Sequence, residues 1–512
     1  MKRDGSLKAR LCVQGCCQMP GVDYDQTHCS TMRSASMRLL ASAAARFGMH
    51  LRRWDFASAY LQGTLEDGEV VWCHLPPGYS ELGADGRPRI CKVVKPIYGM
   101  AQAGRRWQRS LFPWLENELG FTRLHSDRCV FTKERTNPDG TVDRLLVGIY
   151  VDDLCTAYTS DAEGSLYAEF IAALQSRWEV DDEGEVSDLL GVEFVYGERS
   201  VTLHQASYIA RLVAEFGSGV TKPSGQGLRT PCTSELPIHV AEALLDDTCR
   251  DPVLVKLYQS LVGALLYCAT NTRPDIAFAL GYLCRAVSRP TTALLEDARR
   301  VLFYLERTST LGLTYEADQR AVYGYSDSDW GVKHSTTGWC FVYNSAVISW
   351  NSSKQTSVAL SSCEAELMAA SDAAKEGKWW AAFEDELNIS PGEPLDLGVD
   401  NQAARDLAYN PEHHKRTKHI DRRHFFVREL VEEGILRVPF VSTKDNWADF
   451  FTKALDANRF IELRSHIMNT RNADAAAAYT ARVRAVRGGV EPRSVSGRDM
   501  PNVAVAARAV CA

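Results

Sequence analysis

An apolar run that ends abruptly in two acids constrains this chain more than any other feature. Leu145-Leu-Val-Gly-Ile-Tyr-Val-Asp-Asp-Leu154 carries a strand-sized apolar segment directly into Asp152 and Asp153, most simply at the tip of a tight hairpin. Two like charges there repel. Side chains alternate across a strand, so only one of the two carboxylates points squarely into a given site. A divalent cation relieves the repulsion. A second strand-like run, His50-Leu-Arg-Arg-Trp-Asp-Phe56, ends in Asp55. If the two strands are neighbours, Asp55 and Asp152 can share two magnesium ions roughly 4 Å apart, the arrangement for in-line phosphoryl transfer.

The rest of the chain is long enough for further sites. Its 512 residues suggest about three domains at roughly 100–200 residues each. Residues 1–216 alternate short β-like runs with amphipathic helices. In one of these Trp107, Leu111, Trp114, Leu115 and Leu119 recur at helical spacing, with Arg105, Arg106 and Arg109 between them and a kink expected at Pro113. Gly, Ser, Thr and Pro from 217 onward mark 217–250 as a linker. Residues 251–318 read as a helical connection, 319–456 as a further domain and 457–512 as an extension, poorly ordered after 470. No apolar run approaches the roughly 18 residues of a membrane helix, and the polar start lacks a secretion signal. An intracellular protein without a membrane partner is expected, its 15 scattered cysteines reduced and mostly buried. The net charge of −7 argues against strong nonspecific nucleic-acid binding, yet Arg87 to Arg109 carries seven basic residues and no acid. Local sign decides where a phosphate backbone can lie.

A second set of acids follows. Tyr323-Gly-Tyr-Ser-Asp-Ser-Asp-Trp330 alternates toward Asp327, with Asp329 as a neighbour. Ser361 and Glu364 fit a capping box, which leaves Glu366 free on the helix they open. Leu395-Asp-Leu-Gly-Val399 delivers Asp400, and Asn446-Trp-Ala-Asp449 opens a helix carrying Asp449. The four can act together only if the fold converges them. Lys415, Arg416, Lys418, Arg422, Arg423 and Arg428 form a basic stretch opposed by a single acid, Asp421, and suggest a surface for an RNA–DNA hybrid.

Several of these segments are recognisable. Tyr150-Val-Asp-Asp153, Trp54-Asp-Phe-Ala-Ser-Ala-Tyr-Leu-Gln-Gly63 and Lys95-Pro-Ile-Tyr-Gly-Met-Ala-Gln-Ala-Gly-Arg-Arg-Trp107 resemble the reverse transcriptase of copia-type LTR retrotransposons. Thr356-Ser-Val-Ala-Leu-Ser-Ser362, Lys418-His-Ile-Asp-Arg-Arg-His424 and Ala448-Asp-Phe-Phe-Thr-Lys453 resemble the RNase H domain that follows it. The resemblance implies an α+β and α/β multidomain chain: a right-hand polymerase of fingers, palm and thumb, a helical connection, and an RNase H-like domain. It implies an RNA-directed DNA polymerase with a fused RNase H, using RNA template, DNA primer, RNA–DNA hybrid and deoxynucleoside triphosphates, in a cytoplasmic particle or the nucleus. Asp55, Asp152 and, more weakly, Asp153 would hold one Mg²⁺ pair, and Asp327, Glu366, Asp400 and Asp449 another. Tyr60 would be the gate against a 2′-hydroxyl, Gln102 would line the nucleotide pocket, and Lys8 and Arg10 would grip the triphosphate. Arg105, Arg106 and Arg109 would meet template phosphate. The family carries more fingers sequence ahead of Lys8, so a fragment or processed product with an incomplete lid is expected. A nuclease-only chain and a silent remnant that at most binds nucleic acid stay open as alternatives.

Overall fold

The computed structural model describes residues 10–76, 78–79, 81–219, 228–246, 248, 251–330, 334–390, 392–409 and 421–470, with side chains from 425 in the last segment. Lys8, Lys415, Arg416, Lys418 and the tail from Arg471 lie outside the described residues. The chain forms two compact units, one of residues 1–40 and 49–186, the other of 41–48 and 187–512.

The first unit is built on a six-stranded sheet. Its order is Thr122–Arg123, Val130–Thr136, Val142–Tyr150, Asp153–Tyr158, His50–Phe56 and Val180–Glu185, antiparallel throughout. Leu145, Leu146, Val147 and Ile149 are all buried, so this strand has apolar partners on both faces. The helix Ala103–Pro113 buries Trp107, Leu111 and Phe112. Pro113 has no N–H to continue the α-helical ladder, and the chain passes into a π-helical turn, Trp114–Glu118, where the sequence places a kink. Trp178 receives Trp107 and Trp114 edge-on, with ring centroids 5.2 and 5.8 Å apart, and Phe56 packs on Trp107 at 4.8 Å. This aromatic floor lies under the strand end that carries Asp55.

The second unit holds two sheets and a helical layer. The strands Asp188–Leu189, Val192–Tyr196, Ser200–His204 and Leu313–Glu316 form an antiparallel sheet. Residues 187–216, which read from sequence as part of the polymerase, therefore share a sheet with a strand more than a hundred positions later. The stretch expected as a linker contains a helix, Leu236–Leu245, that buries Leu236, Val240 and Ala243. Helix Pro252–Asn271 is long and apolar enough, by length and composition alone, to cross a bilayer. Lys256, Gln259 and Ser260 interrupt it, so no unbroken apolar run shows in the sequence. In the fold it buries Tyr258, Leu261, Val262, Leu265 and Cys268. Among the described cysteines five are buried, but Cys12, Cys16 and Cys17 are exposed, against the expectation of mostly buried thiols.

The other sheet of this unit is five-stranded and mixed, in the order Ala346–Lys354, Thr336–Tyr343, Tyr323–Asp329, Leu395–Gly398 and Leu436–Arg437. The first three strands are antiparallel, and the last two run parallel to Tyr323–Asp329. Helix Ser362–Glu386 packs across the sheet. Ser361 caps it as expected, its Oγ accepting from Glu364 N at 3.1 Å, while the Glu364 carboxylate reaches one residue beyond the cap, to Leu360 N at 2.7 Å.

Candidate active sites

In the first unit a two-residue turn, Val151-Asp152, closes the hairpin between Tyr150 and Asp153. Val151 has φ +59°, a left-handed conformation that costs a β-branched residue about 1–3 kcal/mol. Trp107 Nε1 donates to Val151 O at 2.7 Å and holds the strained turn in place. Asp55 is the register partner of Asp153, and Phe56 N donates to Asp152 O at 3.0 Å. Asp55 thus lies on the strand beside Asp153, and Asp152 sits in the turn at the end of that strand, its carbonyl held by Phe56 N. Arg53 holds the Asp153 carboxylate, with Nη2 at 2.6 Å and Nε at 2.9 Å from Oδ1. A carboxylate so neutralised is the weakest cation ligand of the three. On its other side Asp55 is in register with Asp181, and paired residues share a sheet face. Asp181 comes from the acidic run after Glu179, whose proximity to Asp55 no sequence spacing reveals.

Around this strand end the predicted residues separate into two groups. Tyr60 packs its ring on Tyr98, centroids 4.7 Å apart, and the Arg10 guanidinium lies 4.5 Å over the Tyr98 ring. Burial, with the Cys29 thiol and the Asp152 carboxylate adding to it, pushes the Tyr60 phenol up to about 12. Burial and then Asp152 likewise raise Tyr98, with a contribution from Asp55. Tyr98 was not singled out from sequence, although it stands within the Lys95–Trp107 motif. Gln102 does not line an open pocket: it is 0% exposed. Its Nε2 donates to Glu69 Oε1 at 2.9 Å and Asp23 O at 3.2 Å, and its Oε1 accepts from Gln18 Nε2 at 3.2 Å. Arg106 is likewise buried, in ion pairs with Glu69 at 2.8 Å and with Glu66. It is a structural cation, because a side chain so enclosed cannot reach a phosphate. Arg109 pairs with Glu66 and Arg105 with Gln26.

In the second unit the four acids converge. Oxygens of Asp327, Glu366 and Asp400 lie within 4.8 Å of one another, the trio expected of one strand, one helix and one strand end. Asp449 joins through Lys453, whose Nζ is 2.5 Å from Asp449 Oδ1 and 3.4 Å from Asp327 Oδ2. Thr452 Oγ1 also donates to Asp327 Oδ2. Asp449 stands on a short 3₁₀ turn, Trp447–Phe451, instead of a longer helix. Asn446 caps that turn and ties it to the Asp327 strand, its Nδ2 donating to Ser326 O at 3.1 Å. Burial raises Asp327 well above the ordinary carboxylate range, although Lys453 and Thr452 oppose it. Burial and then repulsion from Asp327 and Asp400 raise Glu366 further still. Burial alone would lower Lys453, but Asp327, Asp449 and Asp400 outweigh it and hold the ammonium strongly protonated. Lys453 was missed as a site residue, though its position four after Asp449 is a legible helical pairing signal.

Buried, mutually repelling oxygen donors are the chemistry that hard divalent cations satisfy, so the residues fit Mg²⁺. Asp329, by contrast, accepts from Thr336 N at 2.6 Å and belongs to the hairpin. Arg428 is buried and donates to Leu407 O at 3.1 Å, so it is no part of an exposed basic surface.

Gly338, the register partner of Asp327, lets the Asp449 turn approach. A Cβ there would lie 2.6 Å from Thr452 Cγ2, 2.9 Å from Phe451 Cβ and 3.0 Å from Ala448 O. Gly338→Ala is expected to cost about 1–3 kcal/mol, read as a lower melting temperature. An unchanged melt in the variant would show that the turn tolerates displacement.

Comparison with known proteins shows what the chain is similar to. Residues 1–230 match the family described as reverse transcriptase (RNA-dependent DNA polymerase). The chain is 32% identical over 471 residues to the retrovirus-related Pol polyprotein from transposon TNT 1-94 of Nicotiana tabacum, covering 90% of this chain and 34% of that protein. It is 34% identical over 478 residues to the corresponding polyprotein from transposon RE1 of Arabidopsis thaliana, covering 91% and 31%. The chain thus spans about a third of the length of these relatives. A solved foamy viral protease-reverse transcriptase in complex with double-stranded DNA aligns at 9% identity and a TM-score of 0.45, covering 83% of this chain and 61% of that one. With its polymerase motifs in residues 1–230 and its acidic quartet beyond, the chain belongs to the copia-type retrotransposon Pol family.

Proposed function

We propose that this chain is an RNA-directed DNA polymerase with a fused RNase H, which copies retrotransposon RNA into DNA and cuts the RNA of the resulting hybrid. The observation that carries the reading is the convergence of Asp327, Glu366 and Asp400 from distant parts of the sequence, and it is supported by the strand register that sets Asp55 opposite Asp153, next to Asp152. Asp55 and Asp152 would hold the polymerase Mg²⁺ pair, with Asp153 the lesser ligand because Arg53 occupies it. Asp327, Glu366 and Asp400 would hold the nuclease pair, with Asp449 beside them. Bound Mg²⁺ supplies charge neutralisation at the phosphate and a lowered pKa for the attacking hydroxyl or water.

The remaining work belongs to the chain's own side chains. Tyr60, backed by Tyr98, presents a ring that a 2′-hydroxyl would strike, which favours deoxynucleoside triphosphates. Arg10, held over Tyr98, offers a cation to the triphosphate. Lys453 keeps Asp327 and Asp449 together by compensating their charge. RNA template, DNA primer and RNA–DNA hybrid are the partners this chemistry requires, inside the cell in a particle or the nucleus.

The test is Mg²⁺-dependent primer extension on an RNA template alongside cleavage of an RNA–DNA hybrid. Asp152→Asn is expected to reduce extension about 1,000-fold or more and to leave cleavage intact. Cleavage without extension in the unaltered chain selects the nuclease-only reading, and a folded chain that does neither is a remnant.

A further inference from the structure

The ring read as the gate, Tyr60, is braced at its far end by a thiol. Tyr60 stands on the short helix Ala59–Gln62 and packs against the apolar cluster of Met100 and Ala103, with Tyr98 against its ring. The residue after Ala103, Gly104, leaves a notch in helix Ala103–Pro113. A Cβ at Gly104 would lie 2.7 Å from Cys29 Sγ, 3.5 Å from Cys29 Cβ and 3.8 Å from Tyr60 Oη. Only a residue without a Cβ admits the thiol there, so Cys29 Sγ fills the space that a side chain at 104 would take, next to the Tyr60 hydroxyl. Cys29 is accordingly the second cause, after burial, of the raised Tyr60 phenol.

The thiol is kept in the notch because its backbone is tied to the same helix. Gln108 Oε1 accepts from Ser30 N at 3.0 Å, Gln108 Nε2 donates to Ser30 O, and Arg105 Nη1 donates to His28 O at 3.3 Å. These bonds bracket Cys29 on both sides. A tyrosine ring pivots at its Cβ and sweeps its hydroxyl through the widest arc, so a block at that end stiffens the whole wall. A wall that yields by the size of one hydroxyl no longer excludes a ribose. We infer that Cys29, seated in the Gly104 notch, is a positioning residue for Tyr60 and sets how firmly the site rejects ribonucleotides. This rests on the polymerase reading, with Tyr60 as its gate, and deepens it. Cys29 acts through the ring, not on the nucleotide.

The test compares kcat/KM for a ribo- and a deoxynucleoside triphosphate in primer extension by the full chain on an RNA template. Tyr60→Ala removes the wall and is expected to raise the ribo-to-deoxy ratio about 100-fold. Cys29→Ala is expected to raise it about 5- to 10-fold, mostly through a lower KM for the ribonucleotide, and to add less than about twofold in the Tyr60→Ala background. Cys29→Ser keeps an atom at the γ position and should stay within about twofold of the unaltered chain. The swap Cys29→Ala/Gly104→Ala puts a methyl into the notch, 3.5 Å from the Cβ of residue 29 and 3.8 Å from Tyr60 Oη, and should restore rejection. Mere loosening of the structure would lower kcat/KM for both substrates and leave the ratio alone. An unchanged ratio in Cys29→Ala, an effect that persists without Tyr60, or a swap that fails to restore rejection overturns the inference alone. If Tyr60→Ala leaves the ratio unmoved, or the unaltered chain extends no primer, the gate or polymerase reading itself falls and takes the role of Cys29 with it.

Discussion

Asp327→Asn is expected to reduce Mg²⁺-dependent hybrid cleavage about 1,000-fold or more and, in the absence of metal, to raise the melting temperature. Both results follow from one geometry. Asp327 is 1% exposed and shares a 4.8 Å neighbourhood with Glu366 and Asp400, so its charge is useful only when a cation answers it. Removing that charge takes away a central ligand, and a loss of about 1,000-fold corresponds to roughly 4 kcal/mol of barrier. It also relieves the repulsion on Glu366, while Lys453 keeps Asp449 at 2.5 Å. Mg²⁺ should stabilise the unaltered chain by mass action and leave the variant nearly unmoved. Thermal melts with and without Mg²⁺, run beside the cleavage assay, check both halves. Cleavage within tenfold of wild type would remove Asp327 from the reaction.

The largest effect on stability is expected at an ion pair that belongs to neither set of site acids. Arg273 and Asp275 are both fully buried, joined by two parallel bonds of 2.9 and 2.7 Å. Tyr304 Oη donates to Asp275 Oδ2 at 2.6 Å, Arg464 donates to Tyr304 Oη at 2.9 Å, and Arg273 also reaches Thr308 O at 2.9 Å. Burial alone would raise Asp275, but Arg273 outweighs it and holds the carboxylate below its ordinary range. Its stabilising effect is therefore present above the unfolded value of 3.8 and lost as pH falls through the lower folded value. Arg273→Met or Asp275→Asn, each stranding a charge or its donors, should cost about 3–5 kcal/mol and lower the melting temperature roughly 5–15 °C. The double change Arg273→Met/Asp275→Leu should cost less than either single one, since no charge is then left alone. A larger loss in the double variant would show that packing, not pairing, dominates here.

What could be read from sequence depended on whether a residue's meaning is local. Asp152 and Asp153 were legible because charge cannot continue an apolar strand, and Ser361 because a cap acts within one turn. Asp327, Glu366, Asp400 and Asp449 were legible as a family pattern, but their approach depends on strand order that no spacing encodes. Gln102 and Arg106 were misplaced for a single reason: their partners, Gln18, Asp23, Glu66 and Glu69, lie 33 to 84 positions away, and a polar side chain looks the same in a sequence whether water or protein surrounds it. The strain at Val151 was hidden as well, since valine there reads as one more strand residue. Gly338 carried no signal because its importance lies in what approaches it.

The sheet that joins Ser200–His204 to Leu313–Glu316 bears on how elements of this kind exchange parts. A recombination event with its crossover between these strands brings together halves from two lineages and asks two edges that never evolved together to pair. An exposed, mismatched edge is a template for aggregation. Viable mosaics should therefore carry their junctions before Ser187 or after Glu316, and the stretch between them should be inherited as a block.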